Sequence, residues 1–262
     1  RDAMEKAFSL DPTDSRVFFE RDQLCKKFRV PARQRLEAYE TYRETALERD
    51  DACIEYVTLL NLTGDYQKAL DVLHSRKFHP WEGGEGKAAA QYVTALVELA
   101  KQEMKKGDYK RAEELLLQSL QYPENLGEGK LEGSKDNNIY YYLGVVKENL
   151  GEAKEAERYY TLASTGSEEV AGMMYYNDQP ADMILYQGLS LYKLHRNKEG
   201  NRMMYKLIDF GEQNLRDKVK IGYFAVSFPD FMIYEEDFNM KNRVHCHYVM
   251  GLGHLGLGSP EK

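Results

Sequence analysis

Four stretches of this sequence carry residue types and spacings that could do chemistry. They are FHPWEGGEGK ending at Lys87, its near-copy YPENLGEGK ending at Lys130, GLGHLG over residues 251–256, and HCH over residues 245–247. The first pair suggests a phosphate cradle. Such a loop needs a first glycine, a lysine, and then a Ser or Thr hydroxyl for magnesium. Trp81 and Glu124 stand in the first-glycine place, Ala88 and Leu131 stand in the hydroxyl place, and glutamates flank both glycine runs. Phosphate would be repelled, so these loops are not nucleotide sites. GLGHLG has dinucleotide spacing, but that motif must follow a strand and open a helix. An apolar helical pattern precedes it here, so its glycines read as small residues at a helix contact and a turn. His245 and His247 lie two residues apart, about 200° around a helix, and cannot share a metal. No nucleophile-elbow pattern is present and no two carboxylates are singled out as an acid–base couple. The expectation is a non-enzymatic chain with no catalytic residue, no metal and no cofactor.

Composition narrows the partners. With 42% hydrophobic and 30% charged residues and a net charge of −7, the chain lacks the basic surface that a nucleic-acid backbone requires. The densest basic run, Lys105, Lys106, Lys110 and Arg111, reads as a solvated helix face. Three widely spaced cysteines, Cys25, Cys53 and Cys246, form neither a disulfide framework nor a CxxC pair, and the expected location is cytoplasmic. No apolar run approaches the ~20 residues of a membrane helix. The chain opens on Arg1 within a helical pattern, so a leader removed from the natural N-terminus stays open as an expectation.

The elements that must position these residues repeat. GDYQKAL begins at Gly64, GDYKRAE at Gly107, GEAKEAE at Gly151 and a degenerate HRNKEGN at His195, at intervals of 43, 44 and 44 residues. Five positions after each turn stands a small residue: Ala69, Ala112, Ala156 or Gly200. Nine positions after it stands a large apolar one: Leu73, Leu116, Tyr160 or Met204. Both fall on one helical face, where the small residue permits close approach of a neighbouring helix. An amphipathic stretch precedes each turn, as in NIYYYLGVVKENLG and DMILYQGLSLYKLH. The predicted unit is helix, glycine turn, helix, with Pro80 and Pro123 ending the helices before two of the junctions.

These units resemble tetratricopeptide repeats. The hairpin from Asn138 matches best: Tyr140 takes the aromatic place, Leu143 and Gly144 the Leu-Gly place and Gly151 the turn. Ala156, Tyr160 and Ala163 follow in its second helix. AMEKAFSLDP reads as the end of a second helix, and YVMGLGHLGLGSPEK as a last first-helix with Gly251 in the Leu-Gly place and Gly258 in the turn. Both ends are thus expected to be cut within a repeat of a longer array. The resemblance implies an all-α, right-handed superhelical α-solenoid of about five hairpins over residues 1–262. Long junction loops join the hairpins, and an irregular aromatic-rich crossover spans 214–240. The period exceeds the usual ~34 residues, so about ten extra residues sit at each junction, and equivalent junctions are expected to line up along one edge. The words FHPWEGGEGK, YPENLGEGK, YYNDQPADMILYQGL and HCHYVMGLGHLGLG are also similar to the C-terminal repeat region of large bacterial proteins. Those carry an uncharacterised, sugar-enzyme-like N-terminal β-sandwich domain, which implies an association with carbohydrate metabolism.

The implied role is a protein-interaction scaffold that docks another domain of its own chain or a partner protein. Candidate contact residues are Trp81, Glu82, Tyr175, Tyr176 and Phe231 at junctions and crossover, with Tyr141, Glu148 and Asn149 on a first-helix face. The rival expectation is carbohydrate binding, with Trp81 or Tyr175 stacking on a sugar and Glu82 or Asp178 accepting its hydroxyl bonds. In this family a Lys and an Asn four apart within a first helix can hold a terminal carboxylate. Lys193 and Asn197 have that spacing, but Asn197 falls in the turn, which argues against that ligand.

Overall fold

A computed structural model of the chain describes residues 2–81, 83–131, 133–172, 178–219 and 237–259. Among them are thirteen α-helices, one short 3-10 turn and no strand, so the protein is all-α. The segment predicted as an aromatic crossover lies largely outside the described residues. No helix among the described residues is long and apolar enough to cross a membrane.

Backbone conformation accounts for the period. Gly64, Gly107 and Gly151 adopt φ of 90°, 83° and 78°, and His195 takes the same left-handed place at φ 60°. At each, two N–H groups turn back on the preceding helix. Gly151 N donates to Glu148 O at 3.1 Å and Glu152 N to Lys147 O at 2.9 Å; His195 N donates to Tyr192 O at 3.0 Å and Arg196 N to Leu191 O at 2.8 Å. These bonds satisfy carbonyls that the helix end leaves open. Gly258, at φ 71°, repeats the pattern: its N donates to Leu255 O at 3.0 Å and Ser259 N to His254 O at 2.9 Å.

Residues 1–102 and 121–130 form one compact unit, and residues 103–120 and 131–262 another. The first contains α1 (Asp2–Leu10), α2 (Ser15–Lys27), α3 (Ala32–Thr41), α4 (Arg43–Leu47), α5 (Asp50–Thr63) and α6 (Tyr66–His74). It also holds α7 (Lys87–Lys106) up to Gln102. Asp14 caps α2, accepting from Arg16 N and Val17 N. Phe18, Tyr39 and Tyr56 chain their rings through the core, with centroids 4.8 and 5.8 Å apart. Beside them the buried Arg35 guanidinium donates to Asp22 at 2.8 and 2.6 Å and to Glu55 at 2.6 Å, and Tyr39 Oη donates to Asp22 at 3.1 Å. Lys26 Nζ donates to Glu55 Oε2 at 3.2 Å, so two cations face the two carboxylates, the condition under which buried charges persist.

The second unit holds α8 (Tyr109–Ser119), α9 (Asn137–Asn149), α10 (Ala153–Ala163), α11 (Ala181–Lys193), α12 (Asn197–Asn214) and α13 (Phe238–Gly256). From α9 onward each helix packs on the next, and α9 on α11 and α11 on α13 as well. The small and large residues set by the period are buried: Ala156, Tyr160, Gly200 and Met204 here, Ala69 and Leu73 in the first unit. The core around α11 and α12 comprises Ile184, Leu185, Leu191, Met203, Met204 and Leu207, closed by Val249 of α13. Through GLGHLG the chain stays helical. Gly253 and Gly256 face α12, where a Cβ on Gly253 would stand 2.7 Å from Met204 O. Gly251, placed by sequence at a helix contact, has no described residue within 4 Å of a Cβ built on it.

Candidate functional site

The two near-copy loops meet within the first unit. Phe78 N donates to Asn125 O at 2.7 Å, Gly86 N donates to Glu128 Oε2 at 2.8 Å, and the Asn125 amide donates to Leu73 O and Arg76 O at 2.8 and 2.9 Å. Asn125 thereby takes up a carbonyl at the end of α6, which stops at His74, six positions before Pro80. The prolines therefore do not end the helices: α6 and α8 finish at His74 and Ser119, and Pro80 and Pro123 lie beyond them. Gly127, at φ 77°, sits where a Cβ would stand 2.5 Å from Phe78 O, so the close approach of the loops needs glycine. Glu128 of the second loop thus serves as an acceptor for a backbone N–H of the first.

Trp81 is half-buried, its indole folded over the buried Gly84, where no Cβ would fit. Of the other junction candidates, Glu82, Tyr175, Tyr176 and Phe231 lie outside the described residues. The third junction is held by carboxamides of the second unit. Asn137 donates to Ala163 O and Thr165 O at 2.8 and 2.7 Å, Gln187 to Ser167 O at 3.0 Å, and Gln179 to Ser167 O at 2.6 Å.

The first-helix candidates come together in the second unit around tyrosines. Tyr141 packs against Tyr142, Tyr160 and Tyr186 with centroids 5.4, 6.1 and 5.5 Å away, and the Tyr142 and Tyr186 hydroxyls share a hydrogen bond of 3.1 Å. Glu148 forms the rim. It accepts from Tyr160 Oη at 2.6 Å and from Lys193 Nζ at 2.7 Å, and Lys193 also stands 5.8 Å from the Tyr160 ring centre. Asn149 is exposed and folds its amide onto Val145 O of its own helix at 2.8 Å.

Electrostatics fix what these groups can do. Lys193 and then Tyr160 hold the Glu148 carboxyl below the usual glutamate range. Burial, then the bond to Glu148, pushes the Tyr160 phenol far above its ordinary value, and burial raises Tyr141. These phenols stay protonated at neutral pH, which suits them to stacking and hydrogen bonding and not to nucleophilic attack. Among the described residues no group of three His, Cys, Asp or Glu side chains is placed to hold a metal ion. His245 bonds Ala171 O at 2.8 Å, whereas His247 is exposed.

Tyr142, Tyr160, Tyr186 and Lys193 were not singled out by sequence as contact residues. The period held the signal, because Tyr142 and Tyr186 lie 44 residues apart and so occupy the same place in successive units. No protein-family model matches the chain.

Proposed function

We propose that this chain is a non-catalytic interaction scaffold, a tetratricopeptide-like α-solenoid that docks a polypeptide segment of a partner or of another domain of its own chain. The observation that carries this reading is the tyrosine face of α9, α10 and α11 with its Glu148–Lys193 rim. Tyrosine supplies large amphipathic contact area with little rotamer entropy to lose, which is why it dominates interface cores. The ion pair at the rim would orient an incoming backbone or polar side chain. Helix-on-next-helix packing from α9 to α13 supports stacking of repeats, in which each unit contacts only its neighbours.

The test is selection of binding peptides from a displayed library against the full chain, followed by affinity measurement on Tyr141→Ser, Tyr186→Ser. Selected peptides are expected to lose at least about tenfold in affinity while helicity by circular dichroism is unchanged. Peptides that bind this variant as tightly as the original chain would overturn the reading.

A further inference from the structure

The buried network of the first unit leaves one nitrogen over. Arg35 Nε and Nη2 form a fork on the Asp22 carboxylate, at 2.8 and 2.6 Å, and Nη2 also donates to Glu55 at 2.6 Å. Nη1 carries N–H groups of its own and bonds to no described residue. The side chain as a whole is only 6% exposed. Nη1 is nevertheless not sealed in, and it keeps a little accessible surface. Native structures pair nearly every donor held this deep.

The space in front of Arg35 is a recess between α1, α2 and α3 of about 480 Å³, open solvent included. Phe18, Val30 and Ala38 line it with apolar groups, and Cys25 stands among them. Its charges cancel. Arg21 and Arg35 are the cations of the lining, Glu5 and Asp22 the carboxylates. Arg21 already bonds Glu5 at 2.8 Å. Behind Arg35, Glu55 is matched by Lys26 at 3.2 Å.

We propose that this recess binds a small uncharged molecule of the carboxamide class. Its carbonyl oxygen accepts from Arg35 Nη1, and a short apolar body lies against Phe18, Val30 and Ala38. A carboxylate would be the third anion around a guanidinium that Asp22 and Glu55 already share, and like charges so placed repel. An ammonium would meet the guanidinium itself and has no acceptor to offer it. A neutral oxygen completes the donor set without adding charge to a desolvated place. The recess belongs to the first unit and the tyrosine face to the second, so each is tested without the other.

Cys25 reports occupancy, because it lines the recess and is the one thiol of the three that is not buried. The full chain is alkylated with N-ethylmaleimide in the presence of isobutyramide, isobutyrate or isobutylammonium, and modification of Cys25 is followed by mass spectrometry. Isobutyramide is expected to slow alkylation saturably. The two charged compounds, of similar size, should need at least about tenfold higher concentration for the same protection. Arg35→Lys, which keeps the charge and loses Nη1, and Ala38→Leu, which fills the recess, should each abolish protection by isobutyramide. If Arg35→Lys fails to fold, Ala38→Leu carries the comparison. Saturation-transfer NMR on isobutyramide replaces the thiol readout for any variant that changes the reactivity of Cys25 itself. Absence of saturable binding, equal or stronger binding of either charged compound, or binding that survives the folded variants overturns the proposal.

Discussion

The Tyr160 ring lies so close over Gly144 that a Cβ on that glycine would stand 2.5 Å from it. Gly144→Ala is therefore expected to destabilise the fold by about 1–3 kcal/mol through overpacking. Gly251→Ala, at the same register in α13, meets nothing and should stabilise by up to about 1 kcal/mol through helix propensity. Urea unfolding of the two variants measures this directly. Equal effects would show that the glycines are not set apart by what covers them.

His195 holds the left-handed turn that glycine holds at positions 64, 107, 151 and 258. An L-residue there costs about 1–2 kcal/mol, part of which is returned by the lower entropy of its unfolded state. His195→Gly is expected to gain about 0.5–1 kcal/mol, read as a higher midpoint in thermal unfolding. A lower midpoint would show that the imidazole contributes an interaction of its own.

Arg35 is the only cation in hydrogen-bond reach of the buried Asp22 carboxylate among the described ion pairs. Arg35→Met leaves Asp22 without its counter-charge, with an expected loss of about 3–5 kcal/mol. The double variant Arg35→Met, Asp22→Leu should recover much of that loss. A single variant that unfolds like the original chain would place the network near the surface in solution.

Acid should loosen the second unit at Glu148. Its folded-state value is depressed by Lys193 and Tyr160. Its contribution is therefore complete above the ordinary glutamate value of about 4.3 and is lost as pH falls through the lower folded value. The pair is half-exposed, so the effect is on the order of 0.5 kcal/mol. Glu148→Gln should flatten the stability profile between pH 5 and pH 3, taken as approximate bounds, by lowering stability at neutral pH by about that amount and leaving stability in acid unchanged.

The turns were legible because a left-handed backbone asks for glycine, and a residue type with a physical reason leaves a visible period. Ala156 and Tyr160 followed from it, since small and large residues five and nine places past a turn must share one face, and Gly144 took the Leu-Gly place before that turn. The first fifty residues were opaque for the converse reason. Helix α2 ends near Arg29, itself left-handed at φ 58°, and α3 breaks at Tyr42 without a glycine. Asp22 and Arg35 look like surface charges until α2 and α3 bring them together. Pro80 and Pro123 misled because asparagine and serine bonds end α6 first, and a loop-to-loop bond such as Gly86 to Glu128 leaves no local trace in sequence. Of the tyrosine cluster and its rim, Tyr141 and Glu148 were named from their place in a first helix, while the packing of Tyr186 and Lys193 against them needed the next unit to be laid beside it.

The near-copy loop at 121–130 belongs to the first compact unit although the residues on both sides of it belong to the second. The unit of duplication and the unit of packing are therefore out of phase. Excising one period between Gly107 and Gly151 would strip α8 from one core and the Asn125 clamp from the other in a single event. Repeat arrays ordinarily change length by gaining or losing whole modules. Here that route is closed in the middle of the chain, and a recombination junction that spares both cores has to fall outside residues 103–130.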